Sequence, residues 1–280
     1  MSKATLHEGF LVYKNFLFVW IVFVLVAVVL FFLIQKENLP VTITKWVFNY
    51  GLGILSLLIM LWLSWFGARK RKYADGTGGL KAWLSAHVYF GVSLLFFVPM
   101  HSGLSIELNL HGAAYFFVML TVLTGIAGVF LYRFYPRKIA KNRAGLTFND
   151  MINNIAEIDS ELRTLSPNNS ENINSAVQKI IANTRIGGGA FLLIFNYKIS
   201  KNKLDKIIKE KDLKNEFDRR VYFLLQKRIV NINKIQIDIQ MRSRLRAWIL
   251  FHVPLSLISV ALVLAHAIGM LMFGFASNLS

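Results

Sequence analysis

Five stretches of roughly twenty predominantly apolar residues dominate this chain, the length an α-helix needs to cross about 30 Å of hydrocarbon. They fall at residues 16–34, 46–66, 83–101, 111–132 and 248–275. Of the 280 residues, 55% are hydrophobic and 17% charged, against about 25% charged in a soluble protein. The expectation is an all-α, polytopic transmembrane bundle of about five spans. Trp20, Trp46, Trp62, Trp65, Trp83 and Trp248 lie at or near the span ends, where interfacial aromatics belong. Cysteine is absent. That excludes disulfides, thiolate-held iron–sulfur clusters, c-type haem attachment and cysteine catalysis in this chain. There is no short tandem repeat to suggest a solenoid.

Charge sets the topology. Only Lys36 and Lys45 fall between spans one and two, and no Lys or Arg lies between spans three and four or after Arg246. The other 30 of the 32 basic residues sit in the N-terminal arm, in residues 69–81 and in residues 133–246. Placing these three regions on one side satisfies the positive-inside rule at every loop. The chain is then expected in a bacterial cytoplasmic membrane, N-terminus inside and C-terminus outside, with spans three and five parallel. The first span is too long for a signal-peptide core and is read as a permanent anchor. The run Arg69-Lys70-Arg71-Lys72 reads as a stop-transfer signal.

The chain thus divides into residues 1–132 with four spans, a basic cytoplasmic insert at 133–247, and the fifth span in 248–280. The insert is expected to be mainly helical. Thr147-Phe148-Asn149-Asp150 resembles a capping box opening a helix with Ile152, Ile155, Leu162 and Leu165 on one side. Residues 166–170 read as a loop, 174–184 as a helix, Gly187-Gly188-Gly189 as a turn or hinge, and 191–199 as a short strand. From Leu204 the pattern is helical again, with Leu225, Ile229, Ile232 and Ile239 near helical spacing, and it can run directly into span five. The insert's 23 basic and 11 acidic residues favour anionic lipid or a partner subunit over nucleic acid, because it is tethered at the membrane face.

Four of the six histidines lie in spans three and five: His87, His101, His252 and His266. Ionisable groups at membrane depth are costly and call for a partner. Both pairs are 14 residues apart. On a helix that is about 1,400° of rotation, which leaves the two rings within about 40° of one face and about 21 Å apart along the axis. Parallel helices then set His87 opposite His252 and His101 opposite His266. A lone intramembrane histidine is most often a packing residue, but two identical spacings on parallel spans are not explained that way. One compact four-ligand zinc or copper site is ruled out by the axial separation. Bis-imidazole ligation of two haem irons meets the pattern, each neutral ring giving a lone pair to an axial position. Saturated axial positions favour electron transfer over ligand activation.

The segments Trp83-Leu84-Ser85-Ala86-His87-Val88-Tyr89-Phe90-Gly91 through His101-Ser102-Gly103, and Trp248-Ile249-Leu250-Phe251-His252-Val253-Pro254-Leu255 through His266, resemble the four-helix dihaem core of membrane-bound b-type cytochromes. The resemblance covers spans two to five. It implies two haems b, each held by one histidine from either helix, and an electron-transfer subunit of an oxidoreductase complex that exchanges electrons with the quinone pool through other subunits. The chain has few spans for that family and lacks a Pro-Glu-Trp-Tyr motif, so the resemblance locates no quinone site. Ferric reductase and NADPH oxidase membrane domains are a second resemblance, implying delivery to an external acceptor. No dinucleotide-binding glycine motif follows a strand here, so hydride would have to enter on another polypeptide. A non-redox transporter or assembly factor is the remaining alternative.

Gly91, one turn after His87, would let a porphyrin approach the backbone, or simply serves helix packing. Gly125 and Gly128 read as packing residues, and Pro99 and Pro254 as kinks. Lys81, Arg244 and Arg246 precede the inner ligands by six to eight residues, within reach of haem propionates, although topogenic charge explains them too. His111 opens span four near His101 as an alternative ligand, a proton-transfer group or an interfacial residue. His7 has no assigned role.

Overall fold

The structure is a computed structural model that describes residues 15–36, 50–72, 79–103, 107–165, 171–183 and 215–276. It is helical throughout, with no strand among the described residues. The helices are α1 (Phe16–Lys36), α2 (Leu52–Lys72), α3 (Gly79–His101), α4 (Leu110–Arg143), α5 (Phe148–Leu165), α6 (Glu171–Asn183) and α7 (Glu216–Ala276). Four of them, α1, α3, α4 and α7, are long and apolar enough to cross a membrane, which is compatible with an integral membrane protein. In α2 the apolar part, Leu52–Trp65, is shorter. The start of the expected second span, Trp46 included, lies outside the described residues. So do His7, the loop at 166–170, the three glycines at 187–189, the expected strand at 191–199 and the helix start at Leu204.

The chain forms two compact units, one of residues 1–129 and 249–280, the other of residues 130–248. In the first, aromatic contacts fix how the helices meet. The Trp20 indole of α1 stacks on Tyr89 of α3 with ring centroids 5.6 Å apart and donates from Nε1 to the Ser93 hydroxyl at 2.8 Å. Phe23 meets Phe97 edge to face. Between α2 and α3, Trp62 stacks on Trp83 at 4.8 Å. Ile59, Met60, Leu94, Phe97, Val118 and Val122 make the core, with Val260 and Val263 of α7 packed against it. Much of α1 stays bare, with Phe18 68% and Phe32 60% exposed, although Val24 is buried. A contiguous apolar face of that size calls for lipid or a partner to cover it.

The second unit has an apolar core of its own. Met151, Ile155, Ile158 and Leu162 of α5 are buried with Ile173 and Ile180 of α6 and with Val221, Leu225, Ile229, Ile232 and Ile235 of α7. The α5 stripe differs from expectation at one point: Ile152 is exposed and Met151 is buried. The buried set follows 4-3-4 spacing, which stays on one helix face, and Ile152 falls off it. The capping box at the start of α5 closes in both directions. The Asp150 N–H donates to Thr147 Oγ1 at 3.1 Å and the Thr147 N–H to Asp150 Oδ2 at 2.8 Å. Asn215 caps α7 through the Asp218 N–H at 2.7 Å. Fully buried Asp238 takes both bonds of the Arg143 fork, at 2.8 and 2.9 Å, and a third from Arg242 at 3.0 Å. Arg228 pairs with Asp159 and Arg220 with Glu161. Helix α7 is continuous over 61 residues, Glu216–Ala276.

Candidate functional site

Each histidine of interest is set by a local feature of its helix. His101 closes α3: just beyond it Gly103 takes a left-handed turn (φ +61°), and the Ser102 and Gly103 N–H groups return to the carbonyls of Val98 and Met100. His111 sits in the first turn of α4, whose cap is Asn109, accepting from the Gly112 N–H at 2.9 Å. Gly112 is obligatory there, because a Cβ would lie 1.7 Å from the Glu107 carbonyl oxygen. On α7, His252, Ser259 and His266 recur every seven residues, about two turns each, and so share a face. Pro99 and Pro254 sit inside helices that continue past them.

That face of α7 meets α4 in three polar rungs. Thr124 Oγ1 lies 2.9 Å from His252 Nδ1. Buried Ser259 lies 2.7 Å from the Thr121 hydroxyl and 2.9 Å from the Phe117 carbonyl oxygen. His111 Nδ1 lies 3.4 Å from His266 Nε2. The order of partners, 124, 121 and 111 against 252, 259 and 266, makes the two helices antiparallel.

At one level His101, His111 and His266 come together, their ligand atoms all within 4.8 Å of one another. Ring centroids are 6.3 Å apart for His101 and His266, 5.7 Å for His101 and His111, and 4.8 Å for His111 and His266. The nitrogen edge of the His101 ring lies against Gly53 of α2: a Cβ there would stand 2.7 Å from His101 Cε1. His87 and His252 lie 14 residues before His101 and His266 on the same two helices. Gly125 adjoins this level, its missing Cβ falling 3.3 Å from His252 Cε1. All five imidazoles are half-buried.

The Thr124 bond sets a tautomer. Its hydroxyl also lies 2.8 Å from the Thr121 carbonyl oxygen, which can only accept, so the hydroxyl proton goes there. Thr124 then accepts from an Nδ1–H of His252, the kind of outer-shell partner that orients a metal-ligating imidazole.

Do these residues fit the two groups that the histidine spacing suggests? Two imidazoles facing each other across one iron, with bonds of about 2 Å, have ring centroids roughly 6 Å apart. His101 and His266 have that spacing, but the His111 ring, 5.7 and 4.8 Å from them, lies close to the level midway between the two. Ten residues before His101 on α3, a Cβ built on Gly91 would meet nothing within 4 Å. A bare tetrahedral ion holds imidazole nitrogens about 3.3 Å apart, close to the contact between His111 and His266. The histidine cluster is therefore one that could hold a metal ion.

Of the other expected site residues, Lys81 lies in the first turn of α3, with its side chain outside the described ones. Arg246 lies on α7 six residues ahead of His252 and is exposed. Arg244 reaches the Tyr135 hydroxyl at 3.4 Å. Sequence reasoning missed Thr124 and Gly53. A hydroxyl in an otherwise apolar span was the available signal for the first, and nothing in the sequence singled out the second. Comparison with protein families, curated proteins and solved structures finds no match to this chain.

Proposed function

We propose that the chain is a dihaem b-type cytochrome that carries electrons across or into a membrane. What supports this reading is the 14-residue step shared by α3 and α7, from His87 to His101 and from His252 to His266, together with the 6.3 Å between the His101 and His266 rings. His87 and His252 would hold one haem, and His101 and His266 the other. Haem, when bound, supplies reversible one-electron carriage. The chain's own residues do the rest. The imidazoles present lone pairs, Thr124 keeps the Nδ1 proton of His252 occupied, Gly91 leaves space beside His87, and the apolar helices keep water from the irons. No fixed hydrolytic or group-transfer constellation competes with this reading among the described residues.

The reading extends to five spans in a bacterial cytoplasmic membrane. The N-terminus and the basic 130–248 unit lie inside, against anionic lipid and partner subunits of a redox complex. Quinone is the exchange partner that this arrangement favours, with an external acceptor, as in ferric reductases, the alternative. The three-histidine cluster supports a second reading, in which His101, His111 and His266 hold a bare transition-metal ion.

Detergent-purified chain from a haem-competent host, extracted and assayed for pigment and for metals, separates the two. About two protohaems per chain are expected. Colourless protein carrying zinc or copper would overturn the proposal in favour of the second reading.

A further inference from the structure

We infer that a groove between the end of α4 and α7 is a binding site for one anionic phospholipid, with the phosphate on Arg242 and the upper acyl chain along Pro136 and Ile139. The inference rests on the membrane-face placement of residues 130–248 proposed above, and on neither haem. The groove has a volume of about 500 Å³, within the range of small-ligand clefts. Its walls are mixed in the way a lipid needs. Pro136, Ile139, Ala140 and Leu146 line it with Arg143 and Arg242, and Leu146 is 37% exposed. The two guanidinium groups share one carboxylate, Asp238, so the lining keeps a surplus positive charge. Asp238 takes both bonds of the Arg143 fork. Arg242 bonds it through Nε, is half exposed, and lies 6.0 Å from the centroid of the Phe148 ring. Held at one edge and on one face, it keeps its terminal nitrogens for a phosphate oxygen.

Position along the helices points to a lipid. Headgroups fill roughly the first 5–8 Å beyond the hydrocarbon. Pro136 comes four residues after Tyr132, the expected end of span four, which is about 6 Å by helix rise. Arg242 comes six residues before Trp248, the expected start of span five, which is about 9 Å, and an arginine side chain can reach back towards the bilayer. The wall nearest the span is thus apolar and the cation lies beyond it, the order of chain and phosphate in a phospholipid. The flanks repeat the charge. Residues 133–143 carry five Lys and Arg and residues 239–247 carry three, with no Asp or Glu in either stretch.

Titration of the detergent-purified full chain with phosphatidylglycerol and with phosphatidylcholine, read by native mass spectrometry, tests the site. The parent should prefer phosphatidylglycerol. Arg242→Gln should weaken that binding about fivefold, the effect of one cation near an anionic surface. Ala140→Trp, which blocks the groove without changing charge, should weaken it at least as much. Lys179→Gln removes the same charge from the exposed side of α6 and should leave it unchanged. Hydrogen exchange across residues 130–248 should match the parent in all three, because Arg143 keeps its bonds to Asp238. Parent-like binding in Arg242→Gln and Ala140→Trp would overturn the site, and so would an equal loss in Lys179→Gln. Displacement of the lipid by inorganic phosphate, beyond a chloride control of equal ionic strength, would assign the groove to a free anion instead. A chain that stays in solution without detergent would sink the membrane reading itself.

Discussion

The Thr124 hydroxyl, 2.9 Å from Nδ1 of His252, orients that ring from α4. Its own proton is committed to the Thr121 carbonyl, so the imidazole must donate from Nδ1. Outer-shell partners of this kind typically change metal affinity by about 10- to 100-fold. Thr124→Val, nearly the same shape without the hydroxyl, should weaken haem retention at the His87 level by that order. Thr124→Ser should restore it. Haem titration of the variants reads the effect. Equal affinity in Thr124→Val and the parent would show that the hydroxyl has no part in ligation.

Two glycines should respond in opposite ways. At Gly53 an added methyl would sit 2.7 Å from the His101 ring, so Gly53→Ala should displace His101 and disturb the spectrum of that level alone. At Gly91 the methyl meets nothing. Gly91→Ala should leave thermal stability unchanged or raise it slightly, by up to about 1 kcal/mol from helix propensity. It should still lower haem occupancy at the His87 level, because the methyl fills space reserved for the macrocycle. Thermal unfolding and haem content, measured on the same samples, separate the two effects.

Asp238 is fully buried and holds both Arg143 and Arg242. Asp238→Ala leaves the two guanidinium groups without their shared carboxylate. The cost should be about 2–4 kcal/mol, towards the low end for a broken buried pair because both arginines retain access to water. Hydrogen exchange across residues 130–248 of the full chain should rise accordingly, while the haem spectrum stays as in the parent.

Acid should loosen the start of α5 before the rest of that unit. The Thr147 backbone N–H, and after it the Thr147 side chain, hold the Asp150 carboxyl below the usual aspartate value. A depressed folded value means that the contribution is complete above the unfolded value, about 4. It is lost as pH falls from there through the lower folded value. Exchange at residues 148–152 should therefore increase below about pH 4 in the parent. In Asp150→Asn that pH dependence should disappear.

The helical class was legible because apolar runs of about twenty residues admit few other structures. The 14-residue spacing located the α3 and α7 imidazoles for the same reason: a single helix converts sequence distance into angle and height without help from the rest of the fold. Contacts between helices are another matter. That His111 would come within 3.4 Å of His266 depends on where α4 lies beside α7, and no local pattern encodes it. Gly53 is the clearest case, since its meaning comes wholly from a ring 48 residues away in sequence. The α5 stripe shows the converse limit. Ile152 and Met151 are both apolar neighbours at a helix start, and only the partner helices decide which one is buried.

Near-infrared magnetic circular dichroism of the oxidised, detergent-purified chain, with haem counted per polypeptide, tests the central claim most directly. Imidazoles of α3 and α7 gripping two irons predict two low-spin, bis-imidazole ferric haems per chain. High-spin iron, a different axial pair, or a chain that binds no haem would contradict it.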